Sequence, residues 1–156
     1  MFTYKRMLAK ITSITNANPD ADGSNVPTGV RPVGQFKFTA AANSNTMNGT
    51  NKATLSGIIL NVSSTSVTMD NADFKLYNKA DASQKATCAT SVGTASGSFT
   101  VRCAGLDAAA VNTEIGSGES VTFVLETEVL TATANATLQV SLQDFTDIED
   151  TAFGAN

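Results

Sequence analysis

Histidine and tryptophan are absent from this chain of 156 residues, and charged residues (15%) and aromatic residues (6%) are scarce. Without imidazole there is no histidine general base, no Ser-His-Asp or Cys-His nucleophile, and no zinc or copper site of the usual nitrogen type. Sugar-binding platforms that stack on large aromatic rings are also disfavoured, because the chain has only two tyrosines. The composition therefore predicts a protein that is not an enzyme.

Positive charge is limited as well, with 10 basic against 14 acidic residues and a net charge of −4. No Lys/Arg cluster of the kind that tracks phosphates is present, so we expect no nucleic-acid partner. No apolar run approaches the ~18 residues of a membrane span. Residues 1–10 are not typical of a signal peptide, because Lys5, Arg6 and Lys10 leave no room for an apolar segment. The sequence predicts either a chain without such a leader or one domain of a longer secreted protein.

The polar residues that dominate instead are Thr (22), Ser (14) and Asn (13). Apolar residues alternate with them at period two, as in Phe36, Phe38 and Ala40, which is typical of half-buried strands. The predicted strands are residues 2–14, 33–41, 53–62, 65–69, 72–78, 85–90, 98–103, 119–131 and 136–146. Turn residues between them favour an all-β fold of about seven to nine antiparallel strands, arranged as a sandwich or a barrel.

Residues 106–115 interrupt the strand pattern. Asp107 before Ala108 is typical of a helix N-cap, so we expect one short helical crossover there. Residues 16–156 are predicted to form a single β-sandwich domain. Residues 1–15 are predicted to be a lead-in strand, serving as an inter-domain linker or as a strand donated to a neighbour.

Cys88 and Cys103 lie 15 positions apart on neighbouring predicted strands that a Gly/Ser-rich segment joins. This spacing favours a disulfide across a hairpin and an oxidising compartment. Two separate buried thiols in a cytosolic protein remain the alternative.

One local motif favours a cation. Oxygen-bearing residues alternate and are followed by Gly23, as at the start of a Ca²⁺ loop. The candidate ligands are Asn18, Asp20, Asp22 and Ser24. Gly29 stands where a complete loop carries its bidentate glutamate, so a solvated polar turn is the competing interpretation. A second acidic group near the C-terminus is interpreted as a solvated tail: Asp144, Asp147, Glu149 and Asp150.

Charge is distributed unevenly, since every Lys and Arg lies at or before Arg102 and nine of the 14 carboxylates follow it. Either this is sequence drift, or the basic N-terminal strand of one domain meets an acidic surface of a neighbour.

Four segments together resemble a known family: Phe2-Thr-Tyr-Lys5, Val33-Gly-Gln-Phe-Lys-Phe-Thr-Ala40, Phe74-Lys-Leu-Tyr-Asn-Lys79 and Gly116-Ser-Gly-Glu-Ser-Val-Thr-Phe-Val-Leu125. They resemble the repeated immunoglobulin-like β-sandwich domains of large secreted or cell-surface proteins in small-genome, uncultivated bacteria. The resemblance covers nearly the whole chain. It implies tandem architecture and a surface location, and it implies no catalytic residues.

The leading hypothesis is a non-catalytic structural or adhesive domain of a bacterial surface or secreted protein. Its partners would be neighbouring domains, identical subunits, or an extracellular protein or glycan. Two alternatives remain open: a filament subunit that donates residues 2–14 to a neighbour's sheet, and a Ca²⁺-dependent ligand-binding module that uses residues 16–32.

Overall fold

The computed structural model describes residues 10–17, 26–41 and 52–149. Within them, nine strands form one continuous antiparallel sheet, and a single 3-10 turn is the helical element. The strands are β1 (Lys10–Asn16), β2 (Gly29–Ala41), β3 (Lys52–Met69), β4 (Lys75–Asn78), β5 (Asp81–Thr87), β6 (Ala89–Thr90), β7 (Ser98–Ala104), β8 (Glu114–Gly116) and β9 (Ser120–Glu149). The all-β prediction is confirmed.

The two longest strands, β3 and β9, bend together. Val67 pairs with Ala132 and Thr65 with Thr137, so β9 carries extra residues where β3 has only Ser66 between its paired residues. Ser66 and Asn135 both adopt positive φ at this point, 58° and 63°. Since sheet corners form where strands bend or bulge, the paired ribbon passes from one layer of the fold to the other without losing its pairing.

Two layers result. In the first layer, residues 120–129 of β9 lie between β2 and β4, with β1 and β5 at its edges. In the second layer, residues 137–149 of β9 pair with one side of β3. The other side of β3 pairs with β7 and β8, and β7 in turn pairs with β6.

The inner faces of the layers pack directly against each other, as in a β-sandwich. The rings of Phe38 on β2 and Phe145 on β9 have centroids 5.9 Å apart. Gly34 lies so close to the opposite layer that an added Cβ would stand 3.0 Å from Cγ1 of Val140. A larger residue at this position would force the side chain of Val140 to shift.

The predicted alternation decides which side chains form this core. Phe36, Phe38 and Ala40 of β2 are buried, whereas Lys37 between them is exposed. Burying such apolar side chains is the main favourable term in folding. Most of the described Thr, Ser, Asn and charged side chains are exposed or half-buried, and the buried polar residues among them are Ser64, Asn78, Thr113 and Thr127.

The bends make the structure differ from the predicted strand boundaries. The predicted strands 53–62 and 65–69 belong to the single strand β3, and the predicted strands 119–131 and 136–146 belong, apart from Glu119, to β9. Positive φ at one residue is typical of a turn. Because β3 and β9 bend at the same level, the pairing between them continues through the bend.

The crossover near residues 106–115 does not form the short helix that was expected. It contains one 3-10 turn, Leu106–Ala108, whose N-cap is Gly105 with no side-chain cap bond. The predicted capping role of Asp107 is therefore wrong. Leu106 is completely buried, and the amide of Leu55 donates to the carbonyl of Thr113 over 3.0 Å. These attachments hold the following segment extended, and it ends in β8.

The first described strand pairs within its own chain. Lys10 lies opposite Ala41 and Asn16 opposite Phe36. Residues 10–14 of the segment considered for strand donation are thus engaged with β2, which weighs against their donation. The residues before Lys10 lie outside the described part of the chain.

In the described ranges, no helix combines the length and the apolar character that crossing a membrane would require.

Candidate functional site

A disulfide joins Cys88 and Cys103, with 4.4 Å between their Cα atoms. Cys103 lies on β7, and Cys88 immediately precedes β6, where Ala89 pairs with Arg102. Both sulfur-bearing residues are buried, and the amide of Cys88 donates to the carbonyl of Phe74 over 2.8 Å. The bond therefore ties the short edge strand β6 to the second layer. It confirms the pairing that the cysteine spacing predicted.

A cleft of about 270 Å³ opens beside this disulfide. It lies where β3 bulges between Leu55 and Gly57, and its walls come from β7 on one side and β9 on the other. Its polar and apolar lining includes Ser56, Ile59, Arg102, Asp107, Asp144 and Thr146. The bulge, together with Gly57, leaves the outer face without a large side chain at this point.

The cleft carries opposite charges on facing walls. Ile59 pairs with Arg102 on β7 and with Asp144 on β9. Since adjacent strands lie about 4.8 Å apart, the backbones that bear these two charges are separated by roughly 10 Å. The guanidinium can donate hydrogen bonds and the carboxylate can accept them. The two walls therefore present a donor and an acceptor to the same space.

A second polar cluster covers the outer face of the first layer, where Tyr77 of β4 lies between Val124 and Lys85. Lys85 forms an ion pair with Glu126 at 2.7 Å, and its Nζ lies 5.1 Å from the centroid of the Tyr77 ring. Lys79 donates to the side-chain oxygen of Gln35 over 3.3 Å and so spans β9. The cluster attaches the β4–β5 hairpin to the layer.

This environment changes two pKa values. Burial, reinforced by the nearby Glu126 carboxylate, raises the pKa of the Tyr77 phenol above its usual value. The hydrogen bond that Lys85 donates to Glu126 raises the pKa of Lys85. Both shifts favour the protonated side chains in the folded protein.

The sequence did not predict this cluster. The alternation of apolar and polar residues places Lys75, Tyr77 and Glu126 on the outward-facing side of their strands. Their proximity, however, depends on β4 pairing with β9 between residues that lie 45 or more positions apart. Local patterns carry no information on such pairing.

The predicted cation loop lies outside the described residues, which include none of Asn18, Asp20, Asp22 and Ser24. The loop connects β1 to β2, and the amide of Ala17 donates to the carbonyl of Gln35 at its near end. In the part of the chain that is described, no group of three or more His, Cys, Asp or Glu side chains is arranged to hold a metal ion.

The predicted acidic tail is partly described. Asp144 is exposed, and its carboxylate accepts a hydrogen bond from the amide of Phe145 over 2.8 Å. Asp147 and Glu149 belong to β9 and pair with β3, so the backbone there is ordered strand rather than tail. Asp150 lies outside the described residues.

Comparison of the chain with protein-family models, with curated protein sequences and with solved structures gave no match.

Proposed function

We propose that this chain is a non-catalytic structural or adhesive domain of a secreted or cell-surface bacterial protein, built as an immunoglobulin-like sandwich. The observation that carries the proposal is the buried Cys88–Cys103 disulfide within an all-β fold. Disulfides form and persist in oxidising compartments such as the periplasm and the cell exterior, and they are rare in the cytosol.

The layered architecture supports a structural role. Inner faces are apolar and closely packed, whereas outer faces carry small hydroxyl and amide side chains that tolerate contact with water. Every buried side-chain nitrogen or oxygen among the described residues has a hydrogen-bond partner. A core with fully satisfied polar groups favours one rigid conformation, which a load-carrying or spacing domain requires.

The cleft between Arg102 and Asp144 supports the adhesive version of the proposal. Its opposite charges and its open position suit recognition of polar groups on an extracellular protein or glycan. Since β-sandwich domains serve many functions, the fold alone does not choose between scaffold and adhesin.

The proposal is tested by locating the native protein with an antibody raised against residues 10–149. We expect intact, unpermeabilised cells, or the medium around them, to be labelled. Labelling that appears only after permeabilisation, with the protein recovered from the cytosolic fraction, would contradict it. An antibody against a cytosolic protein of the same cells is the matched control.

A further inference from the structure

The outermost strands of the two layers differ in how they are protected against pairing with other chains. β6 has two residues, and β5 has seven, including Asp81 and Lys85. β1 has seven residues and an irregular register between Ile11 and Ser13. Short length, charges and bulges are the usual protections of edge strands.

Residues 137–142, at the start of the second half of β9, have no such protection. Among the described strands, residues 137–149 pair only with β3, so one side of this segment is open. Residues 137–142 pair with β3 in unbroken register and contain no charged residue, proline or glycine. A regular, uncharged open edge is a template for a further strand.

The inward side chains along this edge are incompletely covered. Val140 is buried, but Leu138 and Leu142, on either side of it, are only half-buried. Ile14 of β1 and Val33 of β2 are half-buried against the same core. A strand added at this edge would cover the exposed parts of Leu138 and Leu142.

We propose that β9 pairs antiparallel with β9 of a second copy of this chain, with the two-fold axis at Val140. In antiparallel pairing, opposite residues lie on the same face of the sheet. This register places Leu138 of each copy opposite Leu142 of the other, so the half-buried leucines cover each other. On the outer face it places Gln139 opposite Ser141, and both are exposed and able to form hydrogen bonds.

The distribution of charge favours this orientation. In the second half of β9 the acidic residues all follow the uncharged segment, beginning with Asp144. An antiparallel two-fold places Asp144 near Ala136 of the second copy, so the acidic ends of the two strands lie far apart. A parallel arrangement would put them side by side, which like-charge repulsion disfavours. This inference concerns assembly and does not rest on the cellular location proposed above.

The test measures self-association of the full chain by sedimentation velocity over a range of concentrations. We expect dimers in the wild type. The double variant Gln139→Lys/Ser141→Lys puts two lysines opposite two lysines and should weaken association about tenfold or more. Gln139→Glu/Ser141→Glu should weaken it similarly, and an equal mixture of the two variants should restore dimers. Ser98→Lys/Thr87→Lys adds the same charge at exposed positions away from β9 and should leave dimers intact.

Two results would overturn the proposal. One is a wild type that stays monomeric at every concentration. The other is a dimer that is unaffected by the β9 variants but is lost in Lys5→Glu/Arg6→Glu, which would assign the contact to the basic N-terminal segment. Circular dichroism spectra that match the wild type establish that each variant is folded, so that loss of the dimer reports on the edge itself.

Discussion

At the scale of single residues, the Cys88–Cys103 bond is the covalent constraint that the structure contains. It closes a loop with a sequence separation of 15, and in the chain-entropy model a loop of this length contributes about 3 kcal/mol. Cys88→Ala/Cys103→Ala should lower the free energy of unfolding by about this amount in urea titrations. Reducing agent should destabilise the wild type to the same degree and leave the double variant unchanged. A wild type that is insensitive to reduction would contradict this assignment.

The pair formed by Lys85 and Glu126 predicts a response to alkaline pH. The pKa values of Lys85 and Tyr77 are both raised in the folded protein. A raised folded-state pKa stabilises the protein fully below the unfolded-state value, near 10, and the stabilisation is lost as pH rises through the folded-state value. Thermal melts should therefore show stability falling above about pH 10.

Glu126→Gln should reduce the stability that is lost at alkaline pH, because Lys85 then lacks the carboxylate to which it donates its hydrogen bond. The effect should be about 1 kcal/mol or less, since both side chains are partly solvated. Glu114→Gln is the matched control, because it removes the exposed Lys52–Glu114 pair, which has a similar separation of 2.8 Å. Equal alkaline profiles for the wild type and Glu126→Gln would show that the pair does not act this way.

At the scale of strands, the crossing of β2 over β9 depends on Gly34. Gly34→Ala places a methyl group 3.0 Å from Val140 and should destabilise the protein by about 1–3 kcal/mol in urea titrations. Val140→Ala removes Cγ1 from this contact but keeps its Cβ at 3.1 Å, so the double variant should be partly relieved and less destabilised than the sum of the single changes.

Gly93→Ala is the control for this comparison of single and double variants, because no atom lies within 4 Å of a Cβ added at Gly93. Its free energy of unfolding should stay within about 0.5 kcal/mol of the wild type. Strict additivity of Gly34→Ala and Val140→Ala would mean that the two layers do not meet at this point.

The strands also show what the sequence could predict. Alternation identified the buried faces of β2, β7 and both halves of β9, because burial on one face of a strand imposes period two. It could not identify β3 and β9 as continuous strands: it predicted breaks at residues 63–64 and 132–135, whereas both strands continue and bend at Ser66 and Asn135. Whether such a residue ends a strand or bends it depends on the partner strand, which bends at the same level here.

The candidate site was predicted only in part. The disulfide followed from cysteine spacing, because the two residues lie on neighbouring strands. The cleft combines Arg102 and Asp144, which are brought together by the pairing of both β7 and β9 with β3. No local pattern contains that arrangement, so both side chains read as ordinary exposed charges in the sequence.

At the scale of the whole molecule, the core and the disulfide supply the stability of the described residues. The solvated-turn interpretation of residues 18–25 predicts that the melting temperature shifts by less than about 1 °C when a chelator replaces Ca²⁺, because only an ion bound to the native state would stabilise it. A Ca²⁺-dependent rise that is lost in Asp20→Asn/Asp22→Asn would instead assign a cation to the loop between β1 and β2.

We propose that this sandwich works outside the cytosol as an oxidised, non-catalytic domain. The most direct measurement treats intact cells with a membrane-impermeant amine reagent and an alkylating agent, followed by peptide mass spectrometry without reduction. We expect the amine reagent to modify the exposed Lys37 and Lys79. We also expect Cys88 and Cys103 to be recovered in one disulfide-linked pair of peptides. Unmodified lysines together with separately alkylated cysteines would contradict it.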